Sequence, residues 1–140
     1  QPDREGRIIV PHTLVWNGVR WHVRAWCEKN QDYRDFVLSR FRGEPEVIGH
    51  SDKTIEADLD WQHRVVVEMV PDPRLSPEQQ AVVAHDFGMS DGEWQLSIRA
   101  KLLPYVFKLL QIDPQNLNED PKGQQIVVRN LAEIQHWLLP

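Results

Sequence analysis

The chain has 140 residues, 41% of them hydrophobic and 26% charged, with a net charge of −5. That composition fits one ordinary folded domain or two small ones and excludes a disordered, fibrous or disulfide-stapled chain. The single cysteine, Cys27, rules out an internal disulfide and paired-cysteine zinc spacing, and no apolar run approaches the roughly 18 residues of a membrane-spanning helix.

No secretory signal is visible, so a reducing, cytoplasmic setting is expected. The first residue is Gln1 rather than methionine, which leaves room for upstream sequence. Charge is distributed unevenly. Residues 1–43 hold eight Lys/Arg and five Asp/Glu, whereas residues 44–140 hold eight Lys/Arg and sixteen Asp/Glu. A polyanion is drawn to the first part and repelled by the second.

The first elements are strand-like. Pro11–Trp16 and Val19–Trp26 flank Asn17-Gly18, and Asn-Gly between two apolar runs predicts a two-residue type I′ hairpin turn, which needs positive φ at both positions. In that register Trp16 opposes Val19, Leu14 opposes Trp21 and Thr13 opposes His22. Because side chains alternate between faces, Leu14, Trp16, Val19, Trp21, Val23 and Ala25 are expected to form the core face. Thr13, Val15, Arg20, His22, Arg24 and Trp26 share the other. His12 falls on the core face and ranks below His22, an order that reverses if a bulge intervenes. Two arginines around a histidine on one face repel one another unless an anion lies over them, and the guanidinium fork suits phosphate. On a protein taken at random such a face is more often simply solvated.

Residues 44–60 are acidic with little apolar rhythm and read as a solvated linker. Residues 61–140 read as a β-α-β-α-β-α unit. A strand covers 61–70 and ends at Pro71-Asp72-Pro73. Ser76-Pro77-Glu78 starts a helix expected to stop at Gly88. Asp91-Gly92 is a turn before a strand over 93–98, and Pro104 opens or kinks a helix reaching Leu110. A strand over 124–129 leads to Asn130, expected to cap a short helix with Glu133 completing a capping box. Leu131, Ile134 and Leu138 form that helix's buried face.

Catalytic chemistry finds little footing. No Ser, His and Asp sit at a spacing that suggests a nucleophile with its base, and no glycine-rich phosphate loop precedes a helix. His63 or His85 with Asp60 or Asp86 are conceivable metal ligands, but such pairs are usually surface residues. Neither enzyme activity, a metal nor a cofactor is expected.

Three strings carry a resemblance: Arg7-Ile8-Ile9-Val10-Pro11-His12-Thr13-Leu14-Val15, then Gly18-Val19-Arg20-Trp21-His22-Val23-Arg24-Ala25-Trp26-Cys27, then Tyr33-Arg34-Asp35-Phe36-Val37-Leu38-Ser39-Arg40-Phe41. In order and spacing they resemble the WYL domain, with Trp21-His22-Val23 in place of its Trp-Tyr-Leu, and most of all the WYL regulators associated with bacterial phage-defence islands. The resemblance implies an α+β chain. Its first part, 1–43, is a segment of an Sm-like, SH3-type small β-barrel, followed by the linker 44–60 and an α+β extension over 61–140 that supports homodimerisation. It implies a transcriptional regulator whose ligand is a nucleotide or short single-stranded nucleic acid. The candidate contacts are Arg20, His22, Arg24 and Arg40, with Thr13 and His12 beside them. It also implies that the family's winged helix-turn-helix and the first barrel strand lie outside this chain. Operator DNA is then reached only through that winged helix, and the open barrel edge is expected to be covered by a second copy or used as a dimer contact. The alternative is a protein-interaction module with no nucleic-acid ligand.

Overall fold

The computed structural model describes residues 6–115 and 120–138. Between Leu59 and Asp60 the chain divides into two compact units.

The first unit is an antiparallel meander of β1 (Ile9–Trp16), β2 (Trp21–Cys27) and β3 (Asp32–Val37), in the order β1-β2-β3, followed by a single 3-10 turn at Leu38–Arg40. A three-stranded meander keeps both of its edges, and among the described residues the sheet does not close into the expected barrel. Closure needs more strands, at a consistent tilt and stagger.

The hairpin turn sits one residue later than Asn-Gly predicts. Trp16 pairs with Trp21, Val15 with His22 and Leu14 with Val23. Gly18 has φ +97°, but Asn17 does not adopt positive φ. Its side chain forms the turn instead: Asn17 Oδ1 accepts from the backbone N–H of Val19 and of Arg20, each at 2.9 Å. An Asx turn of this kind competes with the type I′ geometry and wins here.

Shifting the turn by one residue moves every pair but keeps residues 13–16 and those of β2 on their expected faces. What differs is which side chains are covered. On the expected core face Val23, Ala25 and Cys27 are buried, but Leu14, Trp16 and Trp21 near the hairpin end are exposed. On the expected solvated face His22 and Arg24 are buried. The register also breaks between Pro11 and Thr13, where Pro11 pairs with Ala25 and Thr13 with Arg24. His12 is the extra residue, and this β-bulge re-aims it.

Residues 61 and 62, expected in the first strand of the second unit, lie in a helical turn before it. From that strand onward the unit follows its expected order. It is built from α1 (Leu59–Gln62), which begins at the boundary, β4 (Arg64–Pro71), α2 (Pro77–Asp86), β5 (Trp94–Arg99), α3 (Leu103–Leu109), β6 (Ile126–Val128) and α4 (Leu131–Ile134), with the sheet ordered β5-β4-β6. Both neighbours of β4 are antiparallel. Ser76 caps α2 in a full capping box with Gln79, and Gly88 stops it at φ +64°. Asp91 and Gly92 both have positive φ, 54° and 72°, and Ser90 and Glu93 exchange two backbone hydrogen bonds of 3.0 Å across them. The type I′ turn expected at Asn17-Gly18 occurs here.

One face of this sheet makes the core. Val67 and Met69 pack with Leu75, Val83, Leu103, Phe107, Ile112, Ile126 and Ile134. Asn130 does not cap α4 with its side chain. Its Nδ2 donates to the Val66 carbonyl at 2.8 Å and to Glu133 at 3.0 Å, and its Oδ1 accepts from the Glu68 N–H at 2.9 Å. Two free groups of β4 outbid the helix end. Among the described residues no helix is long and apolar enough to cross a membrane.

Candidate functional site

The alternation of β2 puts His22, Arg24 and Trp26 on one face of the first sheet. The register adds Thr13 and Val15 from β1, and Tyr33, Asp35 and Val37 from β3. The bulge brings His12 to the same side, so the order of the two histidines does reverse: His12, not His22, joins the arginine.

At the centre lies Arg24, 3% exposed, whose charge is met from within the chain. Its Nε donates to Asp58 Oδ2 at 2.7 Å and its Nη2 to Asp58 Oδ1 at 2.9 Å. Asp35 stands 3.6 Å from Nη1. His12 Nε2 meets the same Asp58 Oδ2 at 2.9 Å while its Nδ1 meets Thr13 Oγ1 at 2.7 Å. Asp58 is 1% exposed, so the reading of every carboxylate in 44–60 as solvated is corrected at this position. A buried, bidentate partner satisfies a guanidinium that would otherwise be very costly to bury. The anion expected over the arginines is, for Arg24, an aspartate of the chain itself.

Aromatic groups border this cluster. Tyr33 lies against the rings of Trp26 and His12, with centroids 5.3 and 5.8 Å away. The Tyr33 hydroxyl donates to the Thr54 carbonyl at 2.6 Å. Burial, and then the Asp58 charge, push its pKa up, which keeps it a donor. The Trp26 indole N–H is buried and meets no acceptor among the described residues, and Lys53 Nζ sits 4.2 Å over the ring.

Two residues along β2, His22 has a different setting. Asn17 Nδ2 donates to its Nε2 at 2.9 Å, which suits a neutral imidazole. Burial lowers its pKa first and the Arg20 charge next. Asp35 acts in the opposite sense, and Arg40 lowers it further. Arg20, in the hairpin turn, and Arg40, in the 3-10 turn after β3, are both exposed. No ion pair holds either of them among the described residues, although both are close enough to bias His22.

The six candidates therefore fall into two groups. His12, Thr13 and Arg24 belong to a buried network closed by Asp58. His22 is buried and neutral beside it, with the exposed Arg20 and Arg40 close enough to act on its charge. Arg34 does not contribute, because it pairs with Ala25 on the opposite face. Asp58 and Tyr33 were missed. The Arg24–Asp58 contact spans 34 residues, and the acidic stretch around Asp58 has no pattern to mark one carboxylate out. In the second unit His63 stacks on Trp137 with centroids 4.8 Å apart, and His85 lies in the last turn of α2.

Comparison with known proteins covers both units. Residues 1–44 match the WYL domain. Residues 64–134 match the BrxR transcriptional regulator, C-terminal dimerization domain. Over 98% of its length the chain is 36% identical to the DNA-binding transcriptional repressor CapW of Stenotrophomonas maltophilia, and covers 46% of that protein. It is 34% identical to proteins of the same name from Escherichia coli strain KTE188 and Pseudomonas aeruginosa, across 95% of this chain and 44% of each relative. The chain thus spans less than half the length of these relatives. With one family model covering half of it and another covering the strands before that, the chain belongs to the BrxR transcriptional-regulator family, as a WYL domain followed by the C-terminal dimerization domain.

Proposed function

We propose that this chain is the ligand-sensing and dimerising region of a bacterial, cytoplasmic transcriptional repressor, and that its effector is a nucleotide or a short single-stranded nucleic acid. The observation that carries the reading is the exposed pair Arg20 and Arg40, both close enough to act on His22 and with no ion-pair partner among the described residues. Phosphate fits such a surface, since a guanidinium fork binds it with two parallel hydrogen bonds. The buried, acceptor-seeking N–H of Trp26 and the Tyr33 ring on the same face suit a base or sugar next to the phosphate. Homodimerisation through residues 64–134 is supported by the description of the matching family. Operator DNA binding is supported by the names of the relatives, and belongs in this reading to sequence outside the chain. The expected chemistry is recognition rather than turnover.

A fluorescence-anisotropy titration of the chain with labelled single-stranded DNA, single-stranded RNA and a mononucleotide tests the effector assignment. Saturable binding of at least one, weakened by Arg20→Ala and Arg40→Ala, is the expected result. No binding of any at low salt removes it. Sedimentation at micromolar concentration is expected to give a dimer.

A second reading, a protein-interaction surface, is favoured by one observation. Leu14, Trp16 and Trp21 lie together at the exposed hairpin end of the first sheet, with the two indoles 5.4 Å apart. Unimpaired partner binding in the arginine variants, with loss in Trp16→Ala, would favour it.

A further inference from the structure

Residues 53–58 cross back over the polar face of the first sheet and touch it at three places. Lys53 sits over Trp26. The Thr54 carbonyl accepts from Tyr33. The Asp58 carboxylate takes Arg24 and His12 together. The segment is folded on itself by two backbone bonds, from the Ala57 N–H to the Thr54 carbonyl at 3.2 Å and from the Asp58 N–H to the Ile55 carbonyl at 3.1 Å. It is a strap, and two residues beyond its anchor, at Asp60, the second unit begins.

Three features make the anchor exchangeable. Arg24 spends Nε and Nη2 on Asp58, so an incoming anion reaches that fork only by replacing the carboxylate. The two-pronged geometry is the one a phosphate also adopts on arginine. Exchanging one anion for another leaves the buried guanidinium paired throughout, and this avoids the large cost of an unmatched buried charge. Arg20 and Arg40 are exposed and act on His22, which lies on the same face of β2 as Arg24, and so offer an approach from solvent.

We propose that Asp58 is a built-in competitor for the effector: its carboxylate holds the place on Arg24 and His12 that an effector phosphate takes, and effector binding releases the strap 53–58 from the sheet. This rests on the effector reading above and adds its regulation. Each copy of the chain carries one tethered anion, so the free site is self-occupied and the effector pays for displacement. Release loosens the covalent tether to the dimerisation unit, and this is the physical event by which occupancy of the first unit is passed to the second.

The test is a titration of a fluorescein-labelled oligo-dT of about ten nucleotides into the wild-type chain and Asp58→Asn. Hydrogen exchange at the Ala57 and Asp58 amides is followed in the wild type with and without saturating oligonucleotide. Asp58→Asn keeps the side chain's shape and one acceptor but removes the competing charge. The proposal requires roughly tenfold tighter binding by Asp58→Asn and faster exchange at both amides in the bound wild type. Equal or weaker binding by a folded Asp58→Asn overturns it, as does exchange that is unchanged or slower. If Asp58→Asn does not fold, wild-type exchange decides alone. Wild-type binding with an undisturbed strap removes this inference and leaves the effector reading standing, whereas no binding by either chain removes both.

Discussion

Arg24 on β2 and Asp58, 34 residues later, meet through two hydrogen bonds of 2.7 and 2.9 Å with both side chains buried. The pair ties the segment after the first sheet to its central strand. Removing one partner leaves the other charge buried, which costs about 3–5 kcal/mol. Asp58→Ala is therefore expected to lower unfolding free energy by that amount in urea denaturation. Asp58→Ala combined with Arg24→Met is expected to recover much of it, because no unmatched charge remains.

His22 sets the sign of an acid effect. Burial and the Arg20 charge hold its imidazole below the ordinary histidine value, which is about 6.5. Above that value both folded and unfolded chains carry it neutral. As pH falls below it, the unfolded chain takes up a proton that the fold resists, and stability drops until the folded-state value is reached. Between pH 7.5 and 5.5 the wild type is expected to lose more stability than His22→Gln, as read from urea midpoints at each pH. Equal losses would show that His22 does not contribute.

Asn130 holds the middle of β4. Its amide satisfies the Val66 carbonyl and the Glu68 N–H, backbone groups that no strand pairing reaches from that side. Asn130→Ala strands both, and buried unsatisfied groups cost about 1–3 kcal/mol each. A fall of about 2 kcal/mol or more in unfolding free energy is expected, with Asn130→Asp intermediate because it keeps the acceptor.

Gly92 is needed where it stands. With φ +72° beside Asp91 at +54° it completes the turn into β5. An alanine there has open space around its methyl but the wrong backbone preference, so Gly92→Ala is expected to cost about 1 kcal/mol in thermal or urea unfolding.

Much of the second unit was legible because its signals are local. Ser76, Pro77 and Gly88 mark the ends of α2, and Asp91-Gly92 marks its turn, each through backbone chemistry within a few residues. In the first unit the bulge inverts residues 9–11, but alternation placed residues 13–16 and those of β2 on the right face, since period two survives a shifted turn. It did not reveal which face is covered. Leu14, Trp16 and Trp21 look like core by composition and are exposed, while Arg24 looks like surface and is buried. That outcome depends on Asp58, and a single aspartate in an acidic stretch leaves no periodic trace. Asn17 misled for a physical reason: the side chain that tolerates positive φ in a type I′ turn also caps N–H groups, and here it took the second role. The bulge at His12 has no signal in the pattern beyond Pro11, which cannot donate to the ladder.

Arg20 and Arg40 are proposed to receive an anionic effector. The most direct test is the salt dependence of single-stranded DNA binding, measured for the wild type and for Arg20→Ala/Arg40→Ala. Each phosphate contact on a single strand contributes about 0.7 to the slope of log K against log salt. Weaker binding by the double variant and a slope shallower by about 1.4 are expected. The same affinity and the same slope in both chains would contradict it.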